Sequence, residues 1–173
     1  MPIVFYSSQD IAGKNIALQL RSMQDFREAG GFCARDGTCF TKWVWQEIDL
    51  IELDKPLITA DYLSDYFKSD LFVFASRHKS EAGVPALTVH SLGNWGKESL
   101  YGGKPRELCL TSARAVKSAF EFLLENKLSG FNVSLESTHH GPTSLKTPSI
   151  FVELGSSETQ WVMVEPAQVV AQA

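Results

Sequence analysis

Residues 138–161 read THHGPTSLKTPSIFVELGSSETQW, and this stretch indicates the class of fold. Two adjacent histidines precede Gly-Pro, a second proline follows, and an apolar run over residues 149–154 includes one acid, Glu153. The run predicts a strand that ends in the small-residue turn Gly155-Ser156-Ser157. Because α/β folds build sites where a strand ends in such a turn before a helix, this stretch predicts an α/β sheet with a site beside it.

The remaining sequence continues an alternation of strands and helices. Four further apolar runs predict strands, at residues 2–7, 71–76, 86–89 and 131–137. Two segments with apolar side chains at helical spacing predict helices, at residues 11–23 and 111–126. The pattern indicates an α/β sheet flanked by helices.

The segment between the first helix and the strand at 71–76 is less regular. Residues 28–41 contain Gly-Gly and Asp-Gly and predict a loop or a hairpin turn. Residues 41–53 alternate in the manner of a single strand. Residues 57–59 predict another short strand, and residues 60–68 predict a short helix.

The length of 173 residues predicts one domain, residues 1–173, and 44% hydrophobic residues suffice for an ordinary core. No apolar run is long enough to span a bilayer, and the N-terminus lacks the basic region of a signal peptide. Three cysteines are too few and too odd in number for a disulfide scaffold, which predicts a cytoplasmic protein. Cys33, Cys39 and Cys109 are interpreted as ordinary packing or loop residues.

The charge is unevenly distributed. The net charge of −4 argues weakly against a nucleic-acid partner, but residues 77–127 contain eight basic and five acidic residues, a local charge of +3. Such a surface is able to accept a phosphate backbone. On charge alone, a solvated face of mixed charge explains the segment equally well.

All four histidines follow short apolar strands: His78, His90, His139 and His140. If the strands are parallel neighbours, the histidines converge at one edge of the sheet, where α/β folds bind ligands. The alternative is a set of scattered surface histidines. Candidate partners in the sequence are Arg77, Glu81, Glu136 and Glu153.

A histidine cluster of this kind supports two chemistries. A neutral imidazole takes a proton from water that attacks a carbonyl group, whereas two or three imidazoles with a carboxylate hold zinc. Backbone N–H groups at the turns of Gly141 and Gly155-Ser156 are candidates to stabilise an oxyanion. Neither HExxH nor the GxSxG nucleophile elbow is present, so ester hydrolysis by an activated water is favoured over a serine nucleophile.

Two blocks of the sequence are long and specific enough to compare with a known family. They are ASRHKSEAGVPALTVHSLGNWG at residues 75–96 and ESTHHGPTSLKTPSIFVELGSSETQW at residues 136–161. With the opening strand, turn and helix, they resemble the archaeal and plant type of D-aminoacyl-tRNA deacylase, from about Pro2 to about Pro166. The resemblance implies a three-layer α/β sandwich with a mixed, largely parallel sheet, similar to nucleoside phosphorylases and peptidyl-tRNA hydrolases. It also implies hydrolysis of the ester between a D-amino acid and the terminal ribose of tRNA, with zinc as cofactor.

The resemblance, together with the positions of the charged residues, gives a set of expected roles. The catalytic residues are expected to be His139, His140 and Glu153. The metal ligands are expected to be His78, His90 and Glu81, although the family identity does not say which residues are ligands. Substrate contacts are expected from Arg77, Asn94, Thr138, Gly141, Gly155 and Ser156. Contacts with tRNA phosphates are expected from Lys97, Lys104, Arg106, Arg114 and Lys117.

Two alternatives of other classes stay open. One is a non-catalytic module that binds tRNA or a nucleotide, and the other is a zinc hydrolase that acts on a small ester or amide. Members of the family continue past Ala173 with a later glycine-rich block that contains His-Tyr. We therefore expect either a C-terminally short form or a layer supplied by another chain, and an uncovered sheet edge favours a homo-oligomer.

Overall fold

The computed structural model describes residues 1–173 and contains one eight-stranded sheet. The strands are β1 (Pro2–Ser7), β2 (Arg27–Cys33), β3 (Cys39–Trp45), β4 (Ile48–Leu53), β5 (Leu71–Arg77), β6 (Ala86–His90), β7 (Asn132–Leu135) and β8 (Ser149–Gly155). The helices are α1 (Ile11–Met23), α2 (Leu63–Tyr66), α3 (Ala113–Glu125), α4 (Glu158–Trp161) and α5 (Val164–Gln172). A 3₁₀ turn spans Leu57–Thr59. No helix has both the length and the apolar character needed to cross a membrane.

The sheet is mixed, with the strand order β2-β3-β4-β1-β5-β8-β6-β7. Neighbouring strands run parallel from β4 through β1 and β5 to β8, and again between β6 and β7. The pairs β2–β3, β3–β4 and β6–β8 are antiparallel. The predicted mixed, largely parallel α/β sheet is confirmed.

Each face of the sheet is covered by a separate layer, which completes the predicted sandwich. On one face, α1, α3, α4 and α5 bury an apolar cluster centred on β1, β5, β6 and β8. On the other face, the 3₁₀ turn, α2 and the loops after β6 and before β8 bury a cluster rich in phenylalanine. Because loops rather than long helices cover this second face, polar side chains reach its centre.

Asp10 joins the end of β1 to the end of β5. Its carboxylate caps α1 by accepting the Gly13 N–H at 3.0 Å, and it also accepts the Ser76 hydroxyl and the Arg77 N–H, each at 3.0 Å. A Cβ atom at Gly13 would lie 2.7 Å from the carbonyl oxygen of Ala75, so the close approach of α1 to β5 requires glycine. The predicted turn after β1 is therefore bonded to the end of β5.

The structure differs from the predicted elements in the segment between α1 and β5. Residues 28–41 contain most of β2, and residues 41–53 form two antiparallel strands rather than one. The alternation of apolar residues passes through the turn at Gln46, which has a φ of 49° without being glycine, so the pattern hides the turn. Residues 57–59 form a 3₁₀ turn after Pro56 rather than a strand.

Two of the cysteines are bonded, contrary to the prediction. Cys33 and Cys39 are joined by a disulfide bond. They lie directly opposite each other in the antiparallel pair of β2 and β3, because the hairpin register brings them together. Cys109 is free and buried, as expected of a packing residue.

Candidate active site

The four histidines converge, as predicted, although the strands that they follow do not all run parallel. His78 follows β5, His90 ends β6, and His139 and His140 follow β7. β6 and β7 run parallel to each other but antiparallel to β5 and β8, so His90, His139 and His140 approach His78 from the opposite direction over the loop-covered face of the sheet. The expectation of parallel neighbours is met by β6 with β7 and is wrong for β6 with β8, and the conclusion that the histidines meet is confirmed.

Glu153 lies at the centre of this cluster. It is completely buried on β8, opposite Ser76 of β5 and Thr88 of β6. Its Oε2 accepts the Thr88 hydroxyl at 3.1 Å and lies 3.7 Å from His78 Nδ1 and 3.6 Å from His90 Nε2. Burial alone would raise the pKa of Glu153, but the two imidazoles lower it below its usual range. Glu153 is therefore a buried carboxylate that attracts positive charge.

A second carboxylate completes an ion-pair group with His78. The Glu136 Oε2 atom lies 3.3 Å from His78 Nδ1, and His78 lies between Glu136 and Glu153. The pairing with Glu136 first, and with Glu153 second, raises the pKa of His78 to about 9. Burial raises the pKa of Glu136, but His78 lowers it by more. The group contains an imidazolium flanked by two carboxylates.

The other three histidines form a separate group. Their ring centroids lie 4.4 Å apart for His90 and His139, 4.9 Å for His90 and His140, and 4.6 Å for His139 and His140. Phe151 stacks parallel to His90 at 5.3 Å and meets the ring of His140 edge-on at 4.7 Å. One possible ligand atom from each imidazole lies within 4.8 Å of the others. Apolar packing thus holds the three rings together.

Backbone carbonyls determine how these three imidazoles are oriented. The Nδ1 atoms of His90, His139 and His140 lie 2.9, 2.8 and 2.8 Å from the carbonyl oxygens of Ser91, Ser137 and Gly141, respectively. A carbonyl oxygen only accepts, so each Nδ1 donates and each neutral ring keeps its lone pair on Nε2. The arrangement leaves three Nε2 atoms available to a proton or a cation.

Burial affects the three rings differently. It lowers the pKa of His140 to about 4. Burial also lowers the pKa of His90, but Glu153, the Ser91 carbonyl and Glu136 together raise it by more, and the result is a raised value. The Nε2 atom of His90 is buried without a hydrogen-bond partner, and so is Oε2 of Glu136. Buried polar atoms without partners are uncommon, and a ligand between the two groups would give both atoms a partner.

Four residues of the two histidine groups line a cavity of about 650 Å³: His78, His139, His140 and Glu153. Its lining is mostly polar and comes from Ser7, Gln9, Asp10, Pro56, Leu57, Ile58, Ser76, Arg77, His78, Lys79, Ser80, Glu81, Tyr101, His139, His140 and Glu153. The side chain of His139 is 46% exposed, in contrast to the enclosed His90. A substrate in this cavity would therefore meet His139 first.

The predicted substrate contacts divide into two classes. Arg77 lines the cavity, with its guanidinium 5.5 Å from the centroid of the Trp161 ring. Three other side chains make internal hydrogen bonds and do not line the cavity. Asn94 donates to the carbonyl oxygens of Gly102 and Lys104. The Thr138 hydroxyl bonds to the Ser91 hydroxyl, and the Ser156 hydroxyl donates to the Val84 carbonyl. These three support the loops around the cavity.

The proposed oxyanion donors are already engaged. The Gly141 N–H donates to the Tyr101 carbonyl at 3.0 Å, and the Ser156 N–H donates to Gln160 Oε1 at 3.3 Å. Gly155 has a packing role instead, because a Cβ atom there would lie 2.7 Å from the Cβ of His78. The expectation that the N–H groups of Gly141 and Ser156 are free to bind an oxyanion is wrong.

The expected metal set does not come together as one group. Glu81 is exposed on the loop after β5, and its carboxylate belongs to neither cluster of possible ligand atoms. His78 groups with Glu136 and Glu153, whereas His90 groups with His139 and His140. The sequence predicts Glu136 only as a possible partner of the histidines. Its position directly after β7, two residues before Thr138, is the signal that could have placed it in the site.

The residues expected to contact phosphate are all exposed. They lie on the loop after β6 and on α3: Lys97, Lys104, Arg106, Arg114 and Lys117. Lys104 pairs with Glu107 at 3.5 Å and Lys117 with Glu121 at 3.6 Å. The other three make no ion pair within 4.0 Å, so they present unneutralised positive charge.

Comparison with known sequences places these features in context. The family profile described as D-aminoacyl-tRNA deacylase matches residues 65–173. The D-aminoacyl-tRNA deacylase of Cenarchaeum symbiosum is 42% identical over 121 residues, which are 69% of this chain and 46% of that protein. The one of Methanosarcina acetivorans is 36% identical over 183 residues, 98% of this chain and 60% of that protein. The chain thus spans roughly half to three-fifths of the length of these relatives.

Solved structures give the same fold. The crystal structure of a conserved protein of unknown function superposes with a TM-score of 0.88 at 36% identity, covering 99% of this chain and 60% of that chain. A 5′-methylthioadenosine/S-adenosyl homocysteine nucleosidase of Campylobacter jejuni superposes with a TM-score of 0.61 at 11% identity, covering 99% and 96%. The second likeness concerns the fold alone. A uridine phosphorylase of Schistosoma mansoni also superposes with a TM-score of 0.61. These two likenesses confirm the expected phosphorylase-like architecture.

Proposed function

Because the chain belongs to the D-aminoacyl-tRNA deacylase family, we propose that it hydrolyses the ester bond between a D-amino acid and the terminal ribose of tRNA. The observation that supports this most directly is the convergence of four histidines and two glutamates beside one polar cavity. Groups that take up and donate protons beside a carbonyl carbon are what ester hydrolysis by water requires.

The three-histidine group fits a zinc ion. Its Nε2 atoms are oriented by carbonyl acceptors on Nδ1, which is the support that metal-binding imidazoles commonly have. The buried Nε2 of His90 has no partner within the protein. His90, His139 and His140 would hold the ion, which supplies Lewis acidity that polarises a carbonyl group and makes water more acidic.

The remaining side chains have complementary roles. We infer that Glu136 takes the proton of the attacking water, since its pairing with His78 keeps it ionised and its Oε2 lies 3.9 Å from His139 Nε2. His78, as an imidazolium, provides positive charge and a proton for the departing ribose oxygen. Glu153, which is expected to be catalytic, lines the cavity as well. It holds His78 and His90 in position through its buried carboxylate.

Recognition of the tRNA would rely on the exposed cations. Lys97, Arg106 and Arg114 have no ion-pair partner, so they are free to contact phosphate groups. Such contacts release counterions, and binding should weaken steeply as salt increases. A substrate of this kind implies a cytoplasmic location. A homo-oligomer, expected from the exposed strand edges, stays a prediction.

The test is deacylation of D-Tyr-tRNA and L-Tyr-tRNA by the purified 173-residue chain, with added zinc and with a chelator. We expect hydrolysis of the D-ester alone, and loss of that activity in the chelator. The double variant His139→Ala/His140→Ala should fold normally, judged by circular dichroism, and be inactive. A folded wild-type chain that binds tRNA without cleaving either ester would contradict the proposal, and so would a fully active double variant.

A further inference from the structure

The loop between β6 and α3 exposes large side chains, one of which, Tyr101, lines the cavity. We call residues 93–108 the rim loop. Within it, Trp95 is 68% exposed, Leu100 80% and Tyr101 67%. Two aromatic rings in water on one short segment make no contribution to the core, which is buried elsewhere. They indicate a binding surface, since exposed aromatic side chains are typical anchors for a partner.

The rim loop is attached directly to the histidine segment. The Gly93 N–H donates to the His140 carbonyl at 2.8 Å, and the Gly141 N–H donates to the Tyr101 carbonyl at 3.0 Å. Lys104 N–H donates to the Thr143 hydroxyl at 2.9 Å. Tyr101 also lines the cavity together with His139 and His140. A partner bound on the rim loop would therefore extend into the cavity.

The loop is held in place by close backbone packing as well. Gly102 has a φ of +78°, and a Cβ atom there would lie 1.9 Å from the Ile58 carbonyl oxygen. Asn94 is buried and donates to the Gly102 carbonyl at 2.9 Å. The backbone that presents Tyr101 is thus fixed before any partner binds, which reduces the entropy lost on binding.

The charges on the rim loop favour a polyanion. Lys97 and Arg106 are exposed and make no ion pair. The Arg106 N–H donates to the carbonyl of Gly96 at 3.0 Å, so the backbone of Arg106 lies beside the residue that precedes Lys97. Glu98 is exposed on the same loop, and Lys104 is paired with Glu107. Exposed aromatic rings with free cations are the combination that binds unpaired nucleotides, because bases stack on the rings and phosphates meet the cations.

We propose that Trp95 and Tyr101 form a stacking platform for the unpaired nucleotides at the 3′ end of the tRNA. This inference rests on the proposed function and adds the part of the substrate that is recognised. Stacking on the rim loop directs the terminal ribose towards His139 and His140. Lys97 and Arg106 contact the phosphates of the same single strand. The platform distinguishes a free 3′ strand from a paired one, since bases within a duplex have no exposed faces to stack.

The experiment measures binding of uncharged RNA, so it is independent of catalysis. Two hairpins labelled with a fluorophore on the loop are compared by anisotropy, one with an unpaired four-nucleotide 3′ tail and one with a blunt end. Base stacking on an aromatic side chain contributes about 1–3 kcal/mol, so Trp95→Ala and Tyr101→Ala should each weaken tail binding by about 10-fold. Trp95→Phe and Tyr101→Phe keep a ring and should stay within about 3-fold of wild type.

Leu100→Ala is the matched control, because Leu100 is exposed on the same loop and has no ring. It should bind the tailed hairpin as the wild type does. Blunt-hairpin binding should be the same in all variants. The inference is overturned if the wild type does not prefer the tailed hairpin, if the alanine variants bind it normally, or if Leu100→Ala loses as much affinity as they do.

The outcomes separate this inference from the proposed function. If the wild type cleaves D-Tyr-tRNA but the alanine variants bind the tail normally, the hydrolase stands and the platform is wrong. If tail binding depends on the two rings but no ester is cleaved, the platform stands and the hydrolase is wrong.

Discussion

The Nδ1 atom of His78 lies 3.3 Å from Oε2 of Glu136, and this contact joins two segments that are not neighbours in the sheet. His78 follows β5, whereas Glu136 follows β7, and β8 and β6 lie between these strands. The same Nδ1 atom lies 3.7 Å from Oε2 of Glu153, which is on the intervening strand β8. The pair therefore fixes the distance between the loop after β5 and the segment of His139 and His140.

The stability of the metal-free protein should depend on the protonation of His78. Its pKa is raised from 6.5 to about 9, so the folded state holds a proton that the unfolded state releases above pH 6.5. The resulting stabilisation is complete below pH 6.5 and is lost as the pH rises through 9. At pH 6, His78→Asn should be less stable than wild type by on the order of 2 kcal/mol.

Urea unfolding in a chelator, from pH 6 to pH 9.5, measures this difference. The difference in the free energy of unfolding between wild type and His78→Asn should narrow over that range. Groups that titrate alike in both proteins do not affect this difference. A gap that stays constant with pH would show that His78 is neutral when folded.

Zinc binding should show whether the ion is held by His90, His139 and His140, as the structure suggests, or by the set expected from sequence, which includes Glu81. A ligand that binds only the folded state stabilises it by about 2.7 kcal/mol at 100 times its Kd. Zinc should therefore raise the Tm of wild type and of Glu81→Gln, because Glu81 lies outside both ligand clusters. The rise should be absent or much reduced in His139→Ala.

Calorimetric titration with zinc gives the number of ions bound, with the same pair of variants. One ion per wild-type chain is expected from the three-histidine group. If Glu81→Gln loses affinity and His139→Ala keeps it, the assignment of ligands is reversed.

The convergence of the histidines could be predicted because each follows an apolar strand, and strand ends are visible in the residue pattern. The direction of β6 relative to β8 could not be predicted. All five of its residues are buried, and burial on both faces is equally typical of a parallel core strand. The position of Glu136 after β7 is visible in the sequence, but its pairing with His78 is not, because His78 is distant in sequence. The disulfide bond likewise depends on a hairpin register that residues 28–41 do not reveal on their own.

Glu153 should contribute more to stability than any other carboxylate of the site. Glu153→Gln preserves its shape but leaves His78 and His90 facing a neutral amide in a buried position. Removing one partner of a buried ion pair typically costs about 3–5 kcal/mol. Thr88→Val, which removes one hydrogen bond to Glu153, should cost only about 1 kcal/mol.

Urea unfolding at pH 6.5 measures both variants, and Glu81→Gln, on the surface, should match wild type. Equal and small effects for Glu153→Gln and Glu81→Gln would mean that Glu153 is already protonated in the folded protein.

The rim loop should be sensitive to a single added methyl group at Gly102. Gly102→Ala places a Cβ 1.9 Å from the Ile58 carbonyl oxygen at a φ of +78°, so the loop must move away from the 3₁₀ turn. Gly83→Ala is the matched control: its φ is +63°, but no atom lies within 4 Å of the added Cβ. The control therefore carries the backbone strain, about 1 kcal/mol, without the clash.

We expect Gly102→Ala to lose at least about 2 kcal/mol of stability and most of its affinity for the tailed hairpin, whereas Gly83→Ala keeps that affinity. Chemical unfolding and the anisotropy assay measure the two effects. Equal behaviour of the two variants would show that the packing of Gly102 against Ile58 does not hold the loop in place.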